Sequence, residues 1–112
     1  MKYNNKEREQ KFIEYLDKNE KHVLLVRFVF SQDYLRVESF AVIYLALHKN
    51  KFTEIVKFDA SQFEKVNMHL LYNKGMKKQH LDKEKSWETI LEFIQKIRDN
   101  WHDYWIKFNN IL

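Results

Sequence analysis

The stretch "LRVESFAVIYLALH", residues 35–48, decides the fold. Its length permits either a helix or a strand, and a helix here would break any sheet built from the segments around it. Val37, Val42, Ile43 and the aromatics Phe40 and Tyr44 favour a strand, because β-branched and aromatic side chains suit a pleated, half-buried surface. "HKNK" (48–51) follows as a hairpin turn. With one glycine and no proline in the chain, turns fall to Asn, Asp, Lys and Ser.

Working outward, "VLLVRFVF" (23–30) reads as a strand covered on most of both faces, and "SQDY" turns it into 35–48. On the other side, "FTEIVKFD" (52–59) alternates, with Phe52, Val56 and Phe58 on one face and Thr53, Lys57 and Asp59 on the other. A fourth strand is predicted over 66–72, where Val66, Met68, Leu70 and Tyr72 share a side. Residues 4–18, "NNKEREQKFIEYLDK", carry a short stripe of Phe12, Ile13 and Leu16 among straight-chain charged residues and are predicted helical. Over 86–110, Trp87, Ile90, Leu91, Ile94, Ile97, Trp101, Tyr104, Trp105 and Phe108 recur at three- and four-residue steps. That is an amphipathic helix, with Ser86 able to cap it and Glu88 favourable against its dipole. The expected architecture is a single α+β domain over 1–112. It is a four-stranded antiparallel meander with an N-terminal helix, and the long C-terminal helix packs on one face.

Composition agrees with one folded domain. At 112 residues there is room for one core, and 45% hydrophobic with 16% aromatic residues excludes intrinsic disorder. The absence of cysteine excludes disulfides, thiolate zinc sites and a cysteine nucleophile. No apolar run approaches a membrane span and "MKYNNKEREQ" has no leader pattern, so a cytoplasmic protein without a membrane partner is expected. No cofactor or metal is expected. The net charge of +4 is spread evenly, each half of the chain holding ten basic and eight acidic residues. The local exception is "NKGMKKQHLDKEK" (73–85), with five lysines against Asp82 and Glu84. Lys74, Lys77, Lys78 and His80 are the candidate phosphate contacts there, although a run of this size also describes a plain solvated loop.

The most specific constellation spans the predicted hairpin 56–72. Opposed residues in an antiparallel pair have a constant sum of their numbers. An even sum of 126 sets Phe58 opposite Met68 and Val56 opposite Leu70 on the core face. Lys57 then opposes His69, and Asp59 opposes Asn67. A one-residue slip would turn each apolar set to the wrong side, so the even register is preferred. Opposed side chains start about 5 Å apart at Cβ, close enough for His69 to work as general acid or base with Asp59 and Lys57 beside it. The same pattern also describes an ordinary solvated hairpin face. His22, His48 and His102 are scattered with no metal-ligand spacing, and Trp87, Trp101 and Trp105 could stack bases but share the helix's apolar stripe. His102 and Asp103 of "WHDYW" are expected to point outward.

Laid out in this way, residues 37–108 resemble the TumE-like toxin proteins of prokaryotic toxin–antitoxin modules. The matching pieces are Phe40–Leu47, Glu54–Asp59, Asn67–His69, Asn73–Gly75 and Thr89–Phe108, with "VKFD" and "IRDNWHDYW" the most specific. The resemblance implies a toxin-type, metal-independent action on RNA, with a cognate antitoxin-like protein as partner. The family's "R-Y-D" falls on Lys57, Phe58 and Asp59, and its paired histidines fall on Asn67 and His69. Asparagine cannot shuttle a proton near neutral pH, so only one of the two histidines stands here. Three readings follow: an RNA-acting or RNA-binding protein built on His69, Asp59 and Lys57; a non-catalytic interaction protein using its sheet face or an exposed strand edge; or a plain structural domain whose working form is a homodimer.

Overall fold

A computed structural model of the chain describes residues 8–72 and 78–111. Among the described residues six strands follow one another as a simple antiparallel meander, ordered as in the sequence. They are β1 (Glu9–Tyr15), β2 (His22–Phe30), β3 (Val37–His48), β4 (Lys51–Ala60), β5 (Asn67–Leu70) and β6 (Gln79–His80). Among the described residues one helix, α1 (Trp87–Ile111), closes the fold.

The segment 35–48 is a strand, and its turn into β4 is tight. His48 pairs with Lys51, and Lys49 and Asn50 both take left-handed backbone angles (φ 52° and 64°). That is the geometry of a two-residue hairpin turn whose twist matches its strands. The pairing of β3 with β4 shifts between Tyr44 and Leu45, leaving Ile55 as an extra residue. This bulge corrects the simple alternation expected over 52–59. Phe52 falls opposite Leu47, on the same side as Lys57 and Asp59 and away from Val56 and Phe58.

The predicted N-terminal helix is overturned, and with it the four-stranded sheet. Within 4–18, residues 9–15 form an edge strand paired along its whole length with β2, from Glu9 opposite Val29 to Tyr15 opposite Val23; residues 4–7 lie outside the described residues. Helix propensity separates these residue types by only a few tenths of a kcal/mol each, roughly, and such a preference yields readily to tertiary pairing. Here the ladder sets Ile13 beside Leu25 and lets Leu16 pack on the core. Residues 16–21 form the hairpin turn between β1 and β2. The Asp17 carboxylate accepts from the backbone N–H groups of Lys21 (3.0 Å) and His22 (2.9 Å), and Glu20 takes a left-handed angle (φ 58°). The sixth strand, two residues long, lies inside the lysine-rich segment that was expected to be loop.

α1 covers one face of the sheet. The Ser86 hydroxyl accepts from the Thr89 backbone N–H at 3.2 Å, the expected cap. Ile90, Phe93, Ile94 and Ile97 are buried against Leu24, Val26, Phe40, Val42, Tyr44, Val56 and Phe58. Each such side chain contributes about 1.5–3 kcal/mol of transfer free energy. Phe93, absent from the stripe read in the sequence, is central: its ring stacks on Phe58 at 4.3 Å between centroids. Trp87 and Leu91, counted in that stripe, stand 42% and 46% exposed on its margin. No helix among the described residues is long and apolar enough to cross a membrane.

Candidate functional site

Among the described residues no element packs on the opposite, open sheet face, and strand register decides which side chains meet there. β4 and β5 pair as Val56–Leu70, Lys57–His69, Phe58–Met68 and Asp59–Asn67, the expected even register. Val56 and Phe58 therefore enter the core, and Lys57, Asp59 and His69 stand on the open face. Following the pairs across the sheet gives one row, Lys11–Arg27–Ala41–Asp59–Asn67–His80. The small Ala41 between Arg27 and Asp59 floors a shallow cleft of about 610 Å³, which Ser39 and Ser61 also line.

Asp59 lines this cleft, and beside it, outside the lining, His69 Nε2 lies 3.0 Å from Asp59 Oδ1. A carboxylate only accepts, so Nε2–H donates to Asp59 and Nδ1 is the ring nitrogen turned away from it. Lys57 Nζ sits 3.7 Å from the other carboxylate oxygen, Oδ2. The three side chains are about 25% exposed, enough for a ligand to reach them and little enough to hold them in place. An oriented imidazole beside a cation has the parts that general acid–base chemistry needs.

Asn67 differs from the expectation of a solvated face. It is fully buried, and its Nδ2 donates to the Lys65 carbonyl (2.8 Å) and to Glu64 Oε2 (3.3 Å). Its Oδ1 is buried with no hydrogen-bond partner. Its side chain ties down the loop between β4 and β5 and does not offer itself to a ligand. Glu64 also accepts from Lys78 Nζ at 2.9 Å, and that ammonium holds the Glu64 carboxyl below the usual carboxylate range. Lys78 is thus partly neutralised. His80 is exposed on β6 opposite Asn67. Lys74 and Lys77 lie outside the described residues.

The histidines that looked scattered gather at the other end of the helix-covered face. His22 lies 4.5 Å from the Trp101 ring and 5.0 Å from Trp105, His48 lies 5.1 Å from Phe108, and His102 stacks on Trp101 at 3.6 Å. His22 Nδ1 meets the buried Tyr44 hydroxyl at 2.7 Å. Burial pushes the His22 pKa down despite the opposing pull of Asp17, and it pushes the Tyr44 phenol far up. Neutral His22 therefore accepts from Tyr44. A pattern of paired strand ends could have shown this cluster, since His22 and Tyr44 are brought together by β2–β3 pairing and not by any sequence spacing. His102 and Asp103 are exposed, as expected. Among the described residues no group of three or more potential ligands could hold a metal ion.

A family model described as a domain of unknown function, DUF7718, matches residues 5–111. The chain belongs to this family. The DUF7718 match spans every element from β1 to α1, so the edge strand and the terminal helix both belong to the family's unit. No curated protein and no solved structure shows significant similarity to the chain.

Proposed function

We propose that the chain acts on RNA at the open sheet face, with His69 as its acid–base group. The observation that carries the reading is the 3.0 Å bond from His69 to Asp59, with Lys57 beside it on the face the helix leaves free. The resemblance of the chain to TumE-like toxin proteins supplies the substrate class. Asp59 orients the ring, Lys57 supplies a positive charge for a phosphate oxygen, and Arg27 and Lys11 extend that charge along the cleft. His69 Nδ1 takes the proton of a ribose 2′-hydroxyl, whose oxygen then bonds to the adjacent phosphorus. The bond from phosphorus to the 5′ oxygen breaks, and that oxygen leaves with the electron pair and takes a proton from the imidazolium or from water. The products are a 2′,3′-cyclic phosphate and a free 5′-hydroxyl. A second histidine is not required in this scheme, so Asn67 does not exclude it.

The test is to incubate total RNA with the purified protein and with its His69→Ala and Asp59→Asn variants. Loss of long RNA with the wild type, and at least tenfold slower loss with either variant, is expected. Identical size profiles for all three proteins would sink the catalytic reading. The second reading, a non-catalytic interaction protein, is favoured by the exposed Ile13, Tyr15 and Phe52 at the far side of the same face.

A further inference from the structure

We infer that β1 is a self-association edge, and that two copies of the chain join their sheets by pairing β1 with β1 about a two-fold axis at Phe12. The sheet has two unlike edges. β6, at one, is two residues long, whereas β1, at the other, is seven residues long and pairs on one side only with β2 among the described residues. An edge strand of that length is a template for another strand.

Three side chains of β1 are exposed and apolar: Phe12 (38%), Ile13 (56%) and Tyr15 (54%). They lie on both faces of the strand. Phe12 shares the side of core residue Val26, while Ile13 and Tyr15 stand on the open face beside Leu25 and Val23. Phe52, shifted to that face by the bulge, joins them around an apolar cleft of about 210 Å³. Exposure on both faces of one edge fits a partner strand laid alongside it better than a partner resting on either face.

A second copy fits because the strand is self-complementary. Pairing must keep Ile13 and Tyr15 on the open face, so the numbers of opposed residues have an even sum. With Phe12 opposite itself, Glu9 meets Tyr15, Gln10 meets Glu14 and Lys11 meets Ile13, and all seven residues of each strand are used. No like charges are directly opposed. Moving the axis to Lys11 sets two lysines against each other, and moving it to Ile13 leaves only residues 11–15 of each strand paired. The axis at Phe12 avoids both. Glu14 is already engaged by Arg98 of α1, so its charge faces the seam compensated. The result is a continuous twelve-stranded sheet whose two apolar clefts adjoin at the seam. The short seam puts this association among weak interfaces.

The chain has no cysteine, so single introduced cysteines read the register directly. Light scattering across a concentration series is expected to rise toward twice the 13.9 kDa chain mass. The Phe12→Cys variant is expected to form a disulfide-linked dimer under mild oxidation, several-fold more than Ile13→Cys, because only residue 12 faces its own copy. Ile13→Lys is expected to stay at monomer mass with an unchanged circular dichroism spectrum, which keeps the proposal testable if the cysteine variant fails to fold. A wild type that remains monomeric overturns the proposal and leaves the edge to a different protein. So does a dimer that Ile13→Lys does not disrupt, or one that links better through residue 13 than residue 12.

Discussion

His22 and His69 each meet one oxygen across a strand pair, and the two oxygens give the rings opposite tasks. Tyr44 is fully buried beneath the helix-covered face, and His22, wedged between Trp101 and Trp105, is held neutral as the acceptor of its hydroxyl. Asp59 is a quarter exposed on the open face, and its carboxylate takes the Nε2–H of His69 and turns Nδ1 away from it. A neutral partner under an aromatic lid makes a structural histidine. A charged partner lining a cleft leaves a part-exposed histidine that the proposed function uses as its acid–base group.

The first way to break this contrast is to attack the covered face where it is densest. Phe93→Ala removes the ring stacked on Phe58 and is expected to cost about 3–5 kcal/mol, read from chemical denaturation. A loss below 1 kcal/mol, on the order of a surface change, would show that α1 does not carry the core as described. Tyr44→Phe comes next, at about 1–2 kcal/mol, because it strips a buried hydrogen bond and leaves His22 Nδ1 unpaired.

The pH dependence has a definite sign. Burial lowers the His22 pKa in the folded chain below its ordinary value of 6.5, so between the folded value and 6.5 the unfolded chain binds the extra proton. Stability is therefore fully present above the unfolded pKa and falls as pH drops through that window. The melting temperature is expected to decline on acidification through this range, with a shallower slope in His22→Gln. An equal slope in the variant would remove His22 from its structural role. His69→Ala is the smallest change to the fold, expected within about 0.5 kcal/mol of wild type by the same denaturation experiment.

Much of this contrast was legible in the residues, and the exceptions have physical reasons. The alternation of Val56, Phe58, Met68 and Leu70 fixed one register for β4 and β5, and it brought Lys57, Asp59 and His69 together on one face. Asn67 shared that register, but its burial depends on the 64–65 loop folding over it, which alternation does not encode. β1 carries glutamates, lysine and glutamine, which suit a helix equally well, and only the availability of β2 as a partner makes it a strand. The Ile55 bulge inverts Phe52 without any glycine or proline to mark it. The cluster around His22 is assembled from β2, β3 and the far end of α1, so no local spacing betrays it.

The assignment of the open face is tested most directly by titrating a short single-stranded RNA into ¹⁵N-labelled protein and following the histidine ring and backbone signals. Shifts concentrated on His69, Asp59, Lys57 and Arg27, with His22, Trp101 and Trp105 unmoved, are the predicted result. Shifts confined to the Trp101–Trp105 end, or no shifts at saturating RNA, would contradict it.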